Sequence, residues 1–235
     1  MRGKVKVNYV TLGFRESIFK VGHLFNLLFL FSLVCFPPFL FFSPVDSMAA
    51  DAPVGKLAIV SGKVTVKRAG AEKRTVAAGH YVFVGDIVQT EKNSMSRVVF
   101  TDDSFINLSS ATALMIRQFT FDPEENRRTA IMKVLGGMAR FVIYKQRNGS
   151  FNVETNSASV RANIADFGVA VLPDETEVAV LDGAVSVENI SPLTIGKIRL
   201  GINQKTIVRE KTPPSEPVTL SLKQRKVYLK DVLRF

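Results

Sequence analysis

The chain is 235 residues long, and beyond residue 50 it carries one histidine, His80, and no cysteine. A nucleophilic relay built on His80 would need an activated serine on a sharp strand-to-helix turn. No Gly-x-Ser-x-Gly occurs in the sequence to supply one. His80 stands between Gly79 and Tyr81, a setting that suits a solvated turn histidine. Tetrahedral zinc needs several nitrogen or sulfur ligands, and residues 50–235 cannot furnish them. Oxygen ligands are available at Asp102-Asp103 and at Asp122, Glu124 and Glu125. Neither group has the spacing of a calcium loop, and short acidic clusters more often bond the backbone of their own turn. No glycine-rich phosphate loop joins a strand to a helix. The reading is a non-enzyme with no cofactor and no metal.

Binding chemistry remains. Arg161, Asn163 and Asp166 form a compact polar set, with Phe167 beside them as an apolar anchor. Read as a loop over residues 161–167, these four are the candidate binding residues. The same Phe167 also suits a core position, where aromatic residues of β modules usually pack.

The elements that would hold this segment are strands. Apolar residues alternate with polar ones in short runs, and Gly, Asp, Asn or Pro interrupts them about every 8–12 residues, the rhythm of an all-β sandwich or roll. The expected strands include a hairpin of 56–60 and 63–67 about Ser61-Gly62. Two more, 97–101 and 105–108, flank Asp102-Asp103-Ser104, and 129–135 and 138–144 bracket Gly136-Gly137. Further strands are 113–121, 151–155, 159–162, 167–172, 177–181 and 184–188. No 3.6-residue periodicity marks a helix between residues 50 and 189. Val64, Val66, Val99, Ile106, Leu114, Phe141, Val153, Phe167, Val180 and Val185 are the expected core. Residues 211–217 are a proline-rich connector, and the basic tail after them fits a short helix or an edge strand.

A charge-free apolar run opens at Leu24 and closes at Phe42, with basic residues before it and Ser47-Met48-Ala49 after it. This is the layout of an export signal. Cleavage after Ala49 is one reading. Retention as an inner-membrane anchor is the other, since the run approaches a bilayer-spanning length, although Pro37 and Pro38 interrupt it. Either way residues 50–235 are exported to the periplasm or its equivalent. The expected organisation is a signal or anchor at 1–49, a β domain at 50–208, and a connector with basic tail at 209–235. The formal net charge is +10. The basic residues are spread along strands with no aromatic-interleaved tract, which argues against nucleic acid and allows an acidic partner.

The order of several motifs resembles the FecR domain, a bacterial cell-envelope β module. They are Gly85-Asp86, Asp102-Asp103, Leu135-Gly136-Gly137, Phe151-x-Val153-x-Thr155, Val160-Arg161 and Asp182-Gly183-x-Val185. The similarity runs from about Val54 to Val208. The family usually follows its Val-Arg with Gly-Thr. Here Ala162 and Asn163 stand instead, while Phe167 keeps the nearby aromatic. The resemblance implies an all-β, two-sheet fold and an exported, non-enzymatic module that binds an envelope protein or a cell-wall component. The alternative it implies is a membrane-anchored relay of the sigma-regulator type, without a folded cytoplasmic domain.

Overall fold

The computed structural model describes residues 52–145 and 147–230. All lie in the unit Ala50–Phe235. The run from Leu24 to Phe42, Cys35 and the cleavage position fall outside the described residues. No helix among the described residues is long and apolar enough to cross a membrane.

Among the described residues, fifteen strands join in one hydrogen-bonded network, followed by one helix. The strands are β1 (Gly55–Ser61), β2 (Val64–Lys67), β3 (Arg74–Val76), β4 (Tyr81–Val82), β5 (Ile87–Thr90), β6 (Met95–Phe100), β7 (Phe105–Leu108) and β8 (Ala113–Asp122). They continue with β9 (Arg127–Ile143), β10 (Asn148–Glu154), β11 (Ala158–Val171), β12 (Glu175–Asn189), β13 (Lys197–Leu200), β14 (Gln204–Arg209) and β15 (Val218–Thr219). The helix is α1 (Leu222–Lys230).

Three long strands, β9, β11 and β12, turn this network into two layers. The first sheet runs β3-β2-β5-β8-β9-β10-β11-β12-β13. The second runs β4-β1-β6-β7-β9-β11-β12-β14-β15. One half of each long strand serves the first sheet and the other half the second. Strands that change sheets through bulges make the corners of such folds. The pairing of β11 with β12 slips between Ala162 and Ala165 and again between Asp166 and Phe167.

Glycine makes two of these corners. Gly137 in β9 has φ 82°, and a Cβ there would lie 2.6 Å from the Ala111 carbonyl oxygen. Gly183 in β12 has φ 75°, and its Cβ would lie 2.5 Å from the Ile164 carbonyl oxygen. Only glycine tolerates both the angle and the approach. The sequence reading places strand-ending turns at these glycines and short strands on either side. The structure has continuous, bent strands instead. The Ser61-Gly62 hairpin is likewise corrected: β1 pairs with β4 and β6, while β2 pairs with β3 and β5. That turn carries the chain from the second sheet to the first.

Alternation fills the space between the sheets. Val64, Val66, Ile106, Leu114, Phe141, Val153, Phe167, Val180 and Val185 are buried in one cluster, as expected. Val99 is the exception. It is half-buried, and Val98 and Phe100 take the inward positions of β6. Two ring contacts bridge the layers: Phe100 on Phe119 at 5.0 Å and Phe141 on Phe151 at 6.1 Å.

The tail resolves as a helix laid on the outer face of the second sheet. Ser221 and Gln224 cap it reciprocally, the Gln224 amide donating to Ser221 Oγ (3.2 Å) and the Ser221 amide to Gln224 Oε1 (3.0 Å), a capping box. Tyr228 and Leu220 pack with Ala179 and Leu181 in a small second cluster. Tyr228 lies so close over Gly168 that a Cβ there would sit 2.1 Å from its Cδ1. Gly168→Ala should therefore push the helix off the sheet, costing about 1–3 kcal/mol; amide hydrogen exchange over residues 222–230 reads this out. The Tyr228 hydroxyl donates to Glu177 Oε1 at 2.6 Å, and Lys205 pairs with Glu177 at 2.6 Å. Burial, then the Glu177 carboxylate, hold the phenol well above its ordinary range. A raised pKa means this contribution is whole below the free-tyrosine pKa of about 10 and fades as the pH climbs beyond it. Alkaline titration of stability should show that component in the native chain and lack it in Tyr228→Phe.

Candidate binding face

The solvent face of the first sheet is an ordered polar surface that the strand register builds. Cross-strand partners project to the same side of a sheet. One row reads Gln118, Ile131, Asn152, Arg161, Ser186 and Arg199 across β8 to β13. The adjacent row reads Met115, Lys133, Glu154, Ser159, Glu188 and Lys197 over the same strands. The residues between them, Met132, Val153, Val160 and Val187, point into the core. Apolar-in, polar-out alternation thus lays the face down, and packing beneath keeps it in place.

Its charges are unevenly matched. Arg117 pairs with Glu154 at 2.5 Å and Lys197 with Glu188 at 4.0 Å. Arg161 Nε donates to Asn152 Oδ1 at 3.2 Å, which fixes the guanidinium along the row. Neither Arg161 nor Arg199 forms an ion pair with a described residue, and both are exposed. Two guanidiniums two strands apart, on either side of Ser186, can each take a carboxylate in bidentate fashion.

The four sequence-predicted residues do not converge. Residues 161–167 are the bent interior of β11 and not a loop. Arg161 alone joins the row. Asn163 is exposed at the bend, and its carbonyl accepts from Arg128 Nη2 at 3.3 Å. Asp166 belongs to the outer face of the second sheet, where Arg140 holds it through bonds of 2.7 and 2.5 Å. Beside that pair, Arg97 Nε donates to Asn107 Oδ1 at 2.8 Å; burial first, opposed in part by Tyr144, lowers the Arg97 pKa from its ordinary value. Phe167 is fully buried and stacks on Phe141 at 5.2 Å, so it is a packing residue. Sequence reasoning passed over Asn152, Ser186 and Arg199. Each is the polar member of an alternating strand, and their signal was the pairing order, which periodicity alone does not reveal.

The acidic turns serve the fold. Asp122 Oδ1 accepts from the amides of Glu124 (2.9 Å) and Glu125 (3.0 Å). Asp102 Oδ1 accepts from the Ser104 amide at 3.0 Å, and its Oδ2 binds the buried Arg128.

Residues 86–186 match the family model described as FecR protein. Over that stretch, which is less than half of its length, the chain is similar to this family. The match runs from the start of β5 through most of β12, taking in most of the candidate face. Two crystal structures of a candidate anti-sigma factor from Parabacteroides distasonis ATCC 8503, at 1.65 and 2.50 Å resolution, are similar to the chain. They are 19% and 18% identical to it, with TM-scores of 0.47 and 0.48. Each alignment covers 60% of this chain and 62% of the other, so the chain spans less than two thirds of their length. No curated protein is significantly similar to the chain.

Proposed function

We propose that this β module is an exported regulatory module of the FecR type that acts by presenting a surface, with the first-sheet face docking an acidic patch on an envelope protein. In this reading residues 1–49 export or anchor the chain, residues 50–208 form the module, and residues 209–235 are a connector with a basic tail, whose helix α1 packs on the module. The observation that carries the proposal is the in-register pairing of Arg161, Ser186 and Arg199, two unneutralised guanidiniums on a rigid sheet. Fixed positive charge of this kind steers an acidic partner and sets its register. Asn163, Asp166 and Phe167 take no direct part, because one sits at the bend outside the row, one is held by Arg140 and one is core.

The test is affinity capture from envelope extracts with the native chain and with the Arg161→Glu/Arg199→Glu double variant. The native chain should retain a protein partner that elutes with rising salt. The double variant should lose that partner while its stability changes by less than about 0.5 kcal/mol, as expected of exposed positions. Equal capture by both chains would remove this face from the proposal.

A further inference from the structure

A second site opens on the other side of the first sheet's edge. The β2–β3 hairpin, the turn into β4 and the turn into β5 enclose an open cleft of about 480 Å³, lined among others by Arg68, Glu72, Arg74, His80, Tyr81 and Phe83. Pockets of a few hundred cubic ångströms are the size that holds small ligands. One wall is built to be rigid. The Asp86 side chain is completely buried, accepts the Phe83 amide at 3.0 Å, and takes Arg68 Nε at 2.9 Å and Nη2 at 3.3 Å. The Arg68 guanidinium also lies 4.0 Å from the centre of the Phe83 ring, so an aromatic face and a buried carboxylate together fix its plane. The Arg68 side chain is nevertheless 47% exposed.

The opposite wall is open for a ligand. Tyr81 is 58% exposed, a bare aromatic plate on a two-residue strand. Glu72 and Arg74 are exposed, and their side chains make no hydrogen bond or ion pair with a described residue. Of the hairpin's cations, Arg68 is matched by Asp86 and Lys73 by Glu91, which leaves Lys67 and Arg74 against Glu72 and gives the rim a small positive excess. Nearly all of this lies ahead of the FecR-matched region, so the match says nothing about it.

We infer that this cleft binds one unit of an acidic saccharide, a pyranose bearing a carboxylate. An amphipathic aromatic plate suits the C–H face of a sugar ring. Planar Arg, Glu and His groups around it suit vicinal hydroxyls, which donate and accept in pairs. The surplus cation, Arg74, suits a carboxylate. The site stands apart from the protein-docking face, and either can fail without the other.

The test is calorimetric titration of the full chain, purified in detergent, with oligogalacturonate. Maltohexaose is the neutral control and polyglutamate the acidic non-sugar control. Oligogalacturonate should bind saturably. Arg74→Ala and Tyr81→Ala should each weaken it by at least about tenfold with the melting temperature unchanged, since both side chains are exposed. Tyr81→Phe should retain binding, and Arg161→Ala/Arg199→Ala should leave it untouched. The assignment is overturned if oligogalacturonate gives no saturable heat, if maltohexaose or polyglutamate binds as tightly, if the cleft variants bind like the native chain, or if only the Arg161/Arg199 variant loses binding.

Discussion

Replacing Asp102 with alanine should destabilise the domain by about 3–5 kcal/mol, because it strands a buried cation. Arg128 is the largest fully buried side chain of the fold, and its Nη1 donates to Asp102 Oδ2 at 2.8 Å. Its remaining partners are weak: the Asn163 carbonyl at 3.3 Å and the Phe151 ring at 5.2 Å, while Nε has none. The carboxylate therefore provides most of the compensation for a charge buried within the protein. Its loss also frees the Ser104 hydroxyl, which donates to Asp102 Oδ1 at 2.6 Å. The double replacement Asp102→Leu with Arg128→Met should recover most of the loss, since an apolar pair removes both charges together. Urea unfolding measures both. A single-variant loss below about 1 kcal/mol would mean that water or another group reaches Arg128.

Phe141→Ala should cost a comparable 3–5 kcal/mol. Phe141 is fully buried on the half of β9 that serves the second sheet. It stacks on Phe167 within that sheet, with 15° between the rings, and meets Phe151 of the first sheet edge-on at 72°. Truncation thus opens a cavity between the layers and removes two aromatic contacts at once. Phe141→Leu keeps most of the volume and should cost visibly less. A cost for alanine under about 1 kcal/mol would show that the layers close over the gap.

Much of this architecture is legible in the order of residues, and the reasons differ by element. Strand alternation located nine of the ten expected core positions, since a half-buried sheet demands period two. Val99 was misplaced because Val98-Val99-Phe100 is apolar on both faces, and the outer one packs beside Phe105 across the register. Turn signals were read at Gly136-Gly137 and Asp182-Gly183 as chain reversals. Glycine marks a bend equally well, and only the pairing of both halves with different neighbours tells a corner from a hairpin. The helix was legible in Ser221 and Gln224, a capping box ahead of Leu222. It was obscured because the tail has little amphipathic periodicity: Leu222 and Val227 face solvent and Tyr228 supplies the buried contact.

The candidate site was legible only in part. Arg161 could be singled out from its neighbours in sequence, whereas the row it belongs to is assembled from six strands whose order no local pattern encodes. Asp166 and Phe167, adjacent to each other in the chain, end on opposite faces of one sheet, as period two requires of neighbours.

Site-specific photo-crosslinking in the envelope tests the central claim most directly. A photoreactive residue at Ser186, between Arg161 and Arg199, should yield a single protein adduct in cells, and Arg161→Glu/Arg199→Glu should abolish it. The same probe at Ala58, exposed on β1 of the second sheet, should yield none. An adduct at Ser186 that survives the charge reversal, or one that forms only from Ala58, would contradict the account.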